Sequence, residues 1–446
     1  MNITIDDIYD EINLLCKNVQ DIEHNAIPTV VNKNKSDIKT ALRKVHTRLG
    51  SNKYYRTKLA PFLRMLIQGK KIQQIEHHRD TVKRGDGVKI IIMHQNITMH
   101  DAIGNDIEHM YHILFEEHDC RVFGQNQSNT NLSYIDEKTL CEEIKRKENI
   151  IIYHHSTYWK LGEEILRKTK AKIIIKYHNI TPKEYFLGYD TLAYQQCEKG
   201  RNQTDRLISE FPDAIWMCDS SFNAQDLKGV ENTRIFIVPP FNNIEQWINT
   251  RADEQVIDTL SQNADIKLLF VGRIAPNKGH LKLLDIVQCY RKNYGDNIKL
   301  SIIGKFDPNL AGYNQLIIDR IKAYELDGYV EFVGEITDST LLSYYQASDF
   351  YINVSEHEGF CVPLLEAQCL GLPVVALDTT VIPETIGPEQ VALGRDEKQF
   401  AAAIHALHGN KEYYSFLQQK GKANYNTRFS YEAIKKDFRD VIDRMV

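Results

Sequence analysis

Two glutamates lie eight positions apart in a segment whose residue types suit the binding of hydroxyl groups. Glu358 follows an apolar run, and Glu366 lies on the helix that Pro363 opens. The loop between them, residues 359–361, would turn main-chain N–H groups toward a ligand. Each carboxylate can accept hydrogen bonds from two neighbouring hydroxyls, one pair on a hexose and one on a ribose. Two acids alone could be a solvated surface, but the order Glu, Gly, Pro, Glu favours a sugar site.

A second segment combines a glycine with two cations. Gly272 ends an apolar run, and Arg273 and Lys278 follow in the loop before a helix that begins near Gly279. Glycine lets a ligand approach the backbone, a helix N-terminus offers free N–H groups, and the cations add positive charge. The combination suits a diphosphate. Taken alone it fits two surface cations equally well, and the spacing is not that of a Walker loop.

Short apolar runs separated by helical stretches must position these two segments. In the first half of the chain the runs are residues 89–94, 149–153 and 172–176. In the second half they are residues 267–271, 299–303, 330–333, 350–354 and 373–376. Helical segments are expected at 279–294 and 313–324. Apolar strands that alternate with helices are typical of a parallel sheet covered on both faces, so we predict an α/β protein with two doubly wound, Rossmann-like domains.

The two prolines Pro239 and Pro240 suit a linker between these domains. We expect four parts: a helical extension at 1–85, a first domain at 86–240, a second domain at 241–428 and a C-terminal helix at 429–446 that crosses back to the first domain. Ligands of open α/β sheets bind beyond the carboxyl ends of the strands. Both functional segments fall at such ends, so the cleft between the domains is the expected site.

The N-terminal extension has an uneven charge. Residues 1–32 carry a net charge of −5, whereas residues 33–89 carry +12, although the whole chain has only −5. Within this basic part, residues 56–71 alternate cations with large apolar side chains at roughly helical spacing. This pattern fits a helix on an anionic membrane surface, and it fits equally a helix packed on the protein with a solvated basic face. No nucleic-acid-binding motif accompanies the charge, so we expect no nucleic acid partner.

The composition places limits on the class of protein. A chain of 446 residues with 42% hydrophobic and 26% charged residues is typical of a folded globular protein, and its apolar runs are far shorter than a membrane span. The N-terminus lacks the features of a secretory signal, so we expect a cytoplasmic protein. Eight cysteines without a CxxC pair indicate buried thiols. His109 and His112 share a helical face without a third ligand, so we expect no metal.

The second half carries a set of residues that occurs in the same order in a known family: Gly272, Arg273, Lys278, Glu358, Gly359, Phe360, Pro363 and Glu366. Over about residues 266–390 it resembles the nucleotide-sugar domain of the retaining glycosyltransferases of family 4, which have the GT-B fold. The likeness is greatest to members that build bacterial O-antigens and capsules. The resemblance implies transfer of a hexose from a nucleotide diphosphate sugar, with retention at the anomeric carbon.

The resemblance also implies a role for individual residues. Arg273 and Lys278 would hold the donor diphosphate. Glu358 would hold a hydroxyl of the transferred sugar, and Glu366 the ribose. Further donor contacts are implied, largely through the backbone, for Gly104, Gly272, Gly304, Val333, Gly359, Phe360 and Cys361. Because the contacts to the base are made by backbone, GDP-mannose, UDP-sugars and dTDP-sugars all stay open as donors.

The first half resembles the family less closely. Residues 101–106, which include Gly104, follow the first strand and are similar to a loop of small residues that faces the donor phosphate. His178 follows the third predicted strand, where the family carries a histidine near the reacting sugar. His154 and His155, one predicted strand earlier, are rival candidates for this role.

The implied partners are a nucleotide-sugar donor and a saccharide or lipid-linked saccharide acceptor, with residues 56–71 as a possible contact to the inner face of the cytoplasmic membrane. No cofactor is implied, because in this family cations of the protein act on the diphosphate.

Two other classes of function stay open. A GT-B epimerase would use the same cleft without an acceptor, and an assembly subunit without activity would keep only the nucleotide-binding fold.

Overall fold

The structure is a computed structural model that describes residues 87–98, 101–128, 131–248, 251–262 and 266–446. The predicted helical extension at 1–85 and the basic stretch at 56–71 lie outside the described residues. The α/β architecture predicted from the apolar runs is present in both halves of the described chain.

The first half contains a sheet of six parallel strands. Their bounds are β1 Lys89–Met93, β3 Asp119–Phe123, β5 Ile150–His155, β6 Lys172–Tyr177, β7 Ile215–Cys218 and β8 Ile235–Ile237. The strand order is β3-β1-β5-β6-β7-β8. A separate small sheet pairs β2 Asn96–Ile97 with β4 Asn126–Gln127. The three strands predicted in this half are confirmed, whereas β3, β7 and β8 were not predicted: Arg121 interrupts the apolar residues of β3, and β7 and β8 are only four and three residues long.

Five helices accompany the first sheet: α1 Ala102–Glu117, α2 Glu137–Glu143, α3 Lys160–Lys168, α4 Thr191–Glu210 and α5 Ser221–Ala224. Short polar side chains fix where several of them begin, because they accept hydrogen bonds from otherwise free N–H groups. The carboxylate of Asp190 accepts from two amides at the start of α4, and Ser220 does the same for one amide of α5.

The second half contains another sheet of six parallel strands. Their bounds are β9 Ile266–Val271, β10 Ile298–Ile303, β11 Val330–Gly334, β12 Phe350–Asn353, β13 Val374–Leu377 and β14 Val391–Leu393. The order is β11-β10-β9-β12-β13-β14. The five strands predicted here are confirmed to within one or two residues at each end. Only β14, a short strand at the edge with a solvent-exposed centre, was missed.

The remaining helices are α6 Ile244–Ile248, α7 Glu254–Ser261, α8 His280–Tyr294, α9 Ala311–Ala323, α10 Asp338–Ala347, α11 Val362–Leu370, α12 Ile382–Ile386, α13 Glu397–Gly409, α14 Lys411–Arg428 and α15 Tyr431–Ile442. The predicted helices at 279–294 and 313–324 correspond to α8 and α9. Within the part of the chain that the structure describes, no helix has both the length and the apolar composition that crossing a membrane requires.

The central strands are apolar throughout because helices cover both faces of each sheet. Ile90, Ile91 and Ile92 of β1 alternate between the two faces, yet all three are fully buried. They belong to two different hydrophobic clusters, one on each side of the first sheet. Leu268 and Leu269 are divided in the same way between the clusters of the second sheet. This burial explains the continuous apolar runs in the sequence.

The last helix returns to the first half of the chain. Side chains of α15, including Phe438, share a hydrophobic cluster with Ile107 and Met110 of α1. Arg439 of α15 also pairs with Glu117 at 2.5 Å. The chain therefore crosses between the halves twice, once after β8 and once before α15.

Replacement of Phe438 by Ala should test the contribution of α15 to stability. Phe438 is completely buried, so we expect the free energy of unfolding to fall by about 3–5 kcal/mol. Lys436→Ala, on the exposed side of the same helix, should change it by no more than about 0.5 kcal/mol. Denaturant unfolding measures both. A loss below about 1 kcal/mol for Phe438→Ala would show that α15 is not needed for the first core.

Candidate functional site

Two loops of the second half, one after β9 and one after β12, are joined by hydrogen bonds. The carbonyl of Asn277 accepts from the N–H of Glu356 at 2.8 Å, and its side-chain amide donates to the carbonyl of His357 at 3.1 Å. Gly279, at the start of α8, has a φ of 73°, and a Cβ there would lie 2.3 Å from the carbonyl oxygen of Val354. Only glycine therefore allows these loops to approach so closely.

The joined loops bring Lys278 and Glu358 into an ion pair. The ammonium Nζ of Lys278 lies 2.6 Å from Oε1 and 2.8 Å from Oε2 of Glu358. The Glu358 side chain is only 8% exposed, and that of Lys278 is 20% exposed. A carboxylate so deeply buried needs a counter-charge, since burial strongly disfavours an unpaired charge. The pair thus holds one cation and one hydrogen-bond acceptor at the same point of the cleft.

Free backbone donors follow directly after Glu358. Among the residues that the structure describes, the N–H groups of Gly359, Phe360 and Cys361 donate to no protein acceptor. Cys361 adopts a φ of 71° immediately before α11, a conformation uncommon outside glycine and typical of functional loops. The free donors and the N-terminus of α11 together favour a ligand with anionic or hydroxyl oxygen atoms.

Glu366 lies on the first turns of α11 and is buried. The hydroxyl of Tyr345 donates to its Oε2 at 2.5 Å. Burial raises the pKa of Glu366 to about 7, and the bond from Tyr345 opposes this only in part. Tyr345 was not identified from the sequence, because a tyrosine in a helix of mixed composition gives no signal of its own.

Lys278, Glu358 and Glu366 all act electrostatically on Cys361. Burial raises the pKa of the Cys361 thiol well above its ordinary value, the two glutamates raise it further, and Lys278 opposes them. All three charges therefore lie close enough to Cys361 to act on it. Three of the four charged residues singled out from the sequence thus gather around one loop.

Arg273 occupies a different position from Lys278. Its side chain is exposed, and among the described residues it forms no ion pair. Burial raises the pKa of Cys197 on α4, and Arg273 acts against this shift. An unpaired guanidinium at the edge of the cleft is available to an anionic ligand.

The ends of three neighbouring strands form the floor beside this loop. A Cβ on Gly304, after β10, would lie 1.9 Å from the carbonyl oxygen of Gly272, after β9. The N–H of Gly304 donates to Gly334 at 3.2 Å, and Val333 beside it is half-buried in β11. The structure therefore places the backbone of Gly272, Gly304 and Val333 side by side at the carboxyl ends of β9, β10 and β11.

The two halves of the chain meet at Gly359. A Cβ there would lie 2.6 Å from the carbonyl oxygen of His178 and 2.9 Å from Cβ of Asn179. The hydroxyl of Ser220 donates to the carbonyl of Gly359 at 3.1 Å, and Nε2 of His357 lies 3.1 Å from Oδ1 of Asn179. The loop after β6 is thus pressed against the loop that carries Glu358.

The imidazole of His178 is held by its own half of the chain. Its Nδ1 lies 2.9 Å from Oδ2 of Asp219, and its Nε2 lies 2.9 Å from Nδ1 of His154. His178 and His154 therefore form one hydrogen-bonded pair, whereas the sequence had presented them as alternative candidates for the same role. His155 faces the other side of β5 and bonds to Thr204 at 2.9 Å. It is the carbonyl of His178, rather than its ring, that contacts Gly359.

Buried charges surround this histidine pair. Nζ of Lys176 lies 2.5 Å from Oδ1 of Asp219. Burial alone would raise the pKa of Asp219, but His178 and Lys176 hold it below its ordinary value. Burial raises the pKa of Asp106. Lys176, Asp219 and Asp106 were not identified from the sequence. The lysine within the apolar run of β6 nevertheless indicated a buried partner of opposite charge.

The expectation of a loop at residues 101–106 was wrong. Residues from Ala102 onward belong to α1, and Gly104 lies inside this helix. A Cβ on Gly104 would lie 1.9 Å from the carbonyl oxygen of Thr98. Gly104 therefore permits close packing of α1 on the segment after β2, whereas the sequence had suggested a free backbone that faces a phosphate.

The first half also contains an open cavity of about 400 Å³ beyond the ends of its strands. Amide and aromatic side chains dominate its lining: Gln95, Gln125, Tyr158, Trp159, Lys160, Leu161, Glu164 and Gln196. The indole N–H of Trp159 donates to Oε1 of Gln125 at 2.5 Å, which fixes the orientation of that amide. The cavity therefore combines one fixed amide with aromatic and charged side chains, a lining of the kind found in small-molecule sites.

Comparison with known proteins finds a family match over the segment that contains the loops after β9 and β12. Residues 252–424 match the family model described as Glycosyl transferases group 1. A GDP-mannose-dependent alpha-mannosyltransferase of Mycolicibacterium smegmatis is 28% identical over 163 residues, which are 36% of this chain and 39% of that protein. The capsular polysaccharide biosynthesis glycosyltransferase CapH of Staphylococcus aureus is 20% identical over 319 residues, which are 68% of this chain and 85% of that protein.

Solved structures share the architecture. Sucrose-phosphate synthase from Thermosynechococcus elongatus has a TM-score of 0.62 at 18% identity and covers 80% of this chain and 99% of its own. The Anabaena protein HepE, solved in complex with UDP and glucose, has a TM-score of 0.61 at 15% identity and covers 80% of this chain and 100% of its own. These likenesses confirm the predicted GT-B fold of two Rossmann-like halves.

Replacement of Glu366 by Gln should show the energetic cost of this buried carboxyl. Its pKa is raised from about 4.3 in the unfolded chain to about 7 in the folded protein, so the folded state prefers the protonated form. That stability is present below pH 4.5 and is lost as the pH rises to 7. Glu366→Gln should therefore be more stable than the unmodified protein by about 3 kcal/mol at pH 8 and nearly equal at pH 4.5.

Thermal unfolding at both pH values measures this difference. Glu335→Gln is the control, because Glu335 is an exposed glutamate of the same half. It should show no gain that depends on pH. Equal stability of Glu366→Gln and the unmodified protein at pH 8 would contradict the assignment of a buried, protonated Glu366.

Proposed function

We propose that this protein is a glycosyltransferase that moves a hexosyl group from a nucleotide diphosphate sugar to a hydroxyl of a saccharide. The observation that carries the proposal is the Lys278–Glu358 pair beside three free backbone N–H groups. A diphosphate needs the cation, and a hexose needs the acceptor and the donors. The match to Glycosyl transferases group 1 over residues 252–424 supports the same function.

Ligand binding should exchange the partners within the pair. The ammonium of Lys278 would turn from Glu358 to the diphosphate, and Glu358 would accept hydrogen bonds from sugar hydroxyls in its place. Glu358 thus keeps hydrogen-bond partners throughout, which a buried carboxylate requires. Glu366 would receive the ribose hydroxyls, for which its ionised form is the better acceptor.

The bond that breaks joins the anomeric carbon to an oxygen of the β-phosphate, and the new bond joins that carbon to the acceptor oxygen on the same face. The acceptor hydroxyl gives its proton to the departing phosphate oxygen. Negative charge grows on the departing phosphate. Lys278 and Arg273 would stabilise this charge more strongly in the transition state than in the ground state, which is what raises the rate. Because these two cations meet the diphosphate, the proposed step requires no cofactor and no metal at the phosphates.

The acceptor we propose is a saccharide of the surface-polysaccharide type. The cavity lined by Trp159 and the fixed amide of Gln125 lies in the half opposite the donor loops and suits a sugar chain. The names of two relatives, a mannosyltransferase and a capsular polysaccharide biosynthesis glycosyltransferase, agree with this class. Contact of the two halves at Gly359 would exclude water from the reacting carbon and favour transfer over hydrolysis.

We further propose that residues 56–71 hold the protein on an anionic membrane where a lipid-linked acceptor is exposed. Replacement of Lys58, Arg64, Lys70 and Lys71 by Glu should abolish flotation of the full chain with anionic vesicles, since each cation near such a surface contributes about 1 kcal/mol. Neutral vesicles are the control. Undiminished flotation of the variant would refute this membrane contact without affecting the proposed transfer.

Arg273→Ala should lower the rate of transfer by about 10²–10³-fold, because one stabilising group of the transition state is lost. Arg273→Lys should recover part of the rate. Arg251→Ala is a matched control: Arg251 is another exposed arginine of the second half, paired with Glu254. Measurement of kcat with saturating donor checks this, and a rate within twofold of the unmodified protein would exclude Arg273 from catalysis.

Donor identity and reaction class can be tested together. A thermal-shift screen of GDP-, UDP- and dTDP-sugars should show one base that stabilises the protein by about 2.7 kcal/mol at 100 times its dissociation constant. Product analysis then uses that donor with and without saccharide acceptors. A product that forms from donor alone by inversion of one hydroxyl would establish an epimerase, and binding without turnover would establish an inactive subunit.

A further inference from the structure

Three side chains from separate elements meet beneath the carboxyl edge of the first sheet. They are Asp106 of α1, His154 at the end of β5 and His178 after β6. Nδ1 of His154 lies 2.9 Å from Nε2 of His178, and Oδ2 of Asp106 lies 3.9 Å from each of these nitrogens. The Asp106 and His154 side chains are fully buried, and that of His178 is 7% exposed. Three potential ligand atoms therefore lie within 4.8 Å of one another among buried side chains.

Oδ2 of Asp106 has no hydrogen-bond partner among the described residues, although it is buried. The other oxygen of the same carboxyl accepts from the N–H of Phe241 at 2.8 Å, so the orientation of the group is fixed. A buried carboxylate oxygen without a partner costs several kilocalories per mole in a dry site. Its position opposite two imidazole nitrogens suggests what it lacks, namely a cation.

We propose that Asp106, His154 and His178 bind a divalent transition-metal ion of the zinc class. Two imidazoles and one carboxylate are ligands that zinc and its neighbours prefer, whereas calcium and magnesium prefer oxygen alone. Ligand atoms at tetrahedral positions around zinc, with bonds of about 2.0–2.1 Å, lie about 3.3 Å apart. The three distances between the potential ligand atoms are 2.9, 3.9 and 3.9 Å, so one is shorter and two are longer than this value.

The surroundings of His178 are those of a metal ligand. Its Nδ1 lies 2.9 Å from Oδ2 of Asp219, and a carboxylate on the outer nitrogen of a ligating imidazole fixes its tautomer and raises its basicity. With the proton on Nδ1, the lone pair of His178 Nε2 points at the proposed ion. His154 would bind through Nδ1 and carry its proton on Nε2. Lys176 holds Asp219 in place from the other side.

The proposed ion is separate from the chemistry of the diphosphate. Its ligands all belong to the first half, whereas Lys278 and Glu358 belong to the second. Its effect would be to tie α1, β5 and the loop after β6 together directly below the carbonyl of His178, which touches Gly359. The ion would thus fix the surface on which the sugar-binding loop rests, as a structural and positioning element.

Metal content of the full chain, prepared without a histidine tag, tests the proposal directly. After equilibrium dialysis against zinc and then against zinc-free buffer, we expect one ion per chain by elemental mass spectrometry. Replacement of zinc by Co²⁺ should give the visible absorption of a cobalt ion with nitrogen and oxygen ligands in low coordination number. A chain that retains no zinc and gives only the spectrum of hydrated cobalt would overturn the proposal, with no variant needed.

Variants then locate the ion. Asp106→Asn keeps an oxygen for the N–H of Phe241 but loses the ligating carboxylate, so zinc affinity should fall at least tenfold. Asp219→Asn should lower it by about 10–100-fold through His178. His155→Gln is the matched control, because His155 is the neighbouring buried histidine and faces Thr204. It should bind zinc as the unmodified protein does.

Histidines outside the described residues, His24, His46, His77, His78 and His100, supply a competing explanation for bound zinc. Zinc retained with unchanged affinity by both Asp106→Asn and His154→Gln would place the ion there and would refute the proposed site. Circular dichroism of each variant, recorded before dialysis, separates loss of ligand from loss of fold. If one variant is unfolded, the zinc affinities of the remaining ligand variants relative to His155→Gln decide the question.

Discussion

The ion pair between Lys278 and Glu358 is the interaction on which the proposed donor site depends. A glutamate that is nearly inaccessible to water cannot stay ionised without a partner at contact distance. The loop that carries Lys278 can supply this partner only because Asn277 and Gly279 let it dock closely on the loop after β12. The protein thus holds a cation and a hydrogen-bond acceptor in contact, as the proposed donor site requires.

The contact at Gly359 links this pair to the other half of the chain. Gly359 has room for no side chain against His178, so the position of the loop after β6 determines how the loop that carries Glu358 can lie. That loop is in turn fixed by the buried cluster of His154, His178, Asp219 and Lys176. The buried charges of the first half therefore act through packing on the loop that carries Glu358, without contact to the proposed donor site.

Most of the fold was predictable from the sequence, because strands such as β1, β9 and β10 are rich in Ile, Leu and Val. It was not predictable at β14, which is short, or at residues 101–106, where small polar residues suggested a loop but helix α1 forms. The charged residues of the second half could be identified from the sequence because they come soon after the apolar runs that predict β9 and β12. The polar cluster around His178 could not, because Asp106, His154 and Asp219 are distant in sequence and only the parallel sheet brings them together.

A crystal structure with a bound nucleoside diphosphate would test the central claim most directly, through the distance between Nζ of Lys278 and the carboxylate of Glu358. The account predicts that Nζ moves onto a β-phosphate oxygen and that its separation from Glu358 exceeds about 4 Å, the limit of an ion pair. A diphosphate bound elsewhere, with the Lys278–Glu358 contact intact, would contradict it.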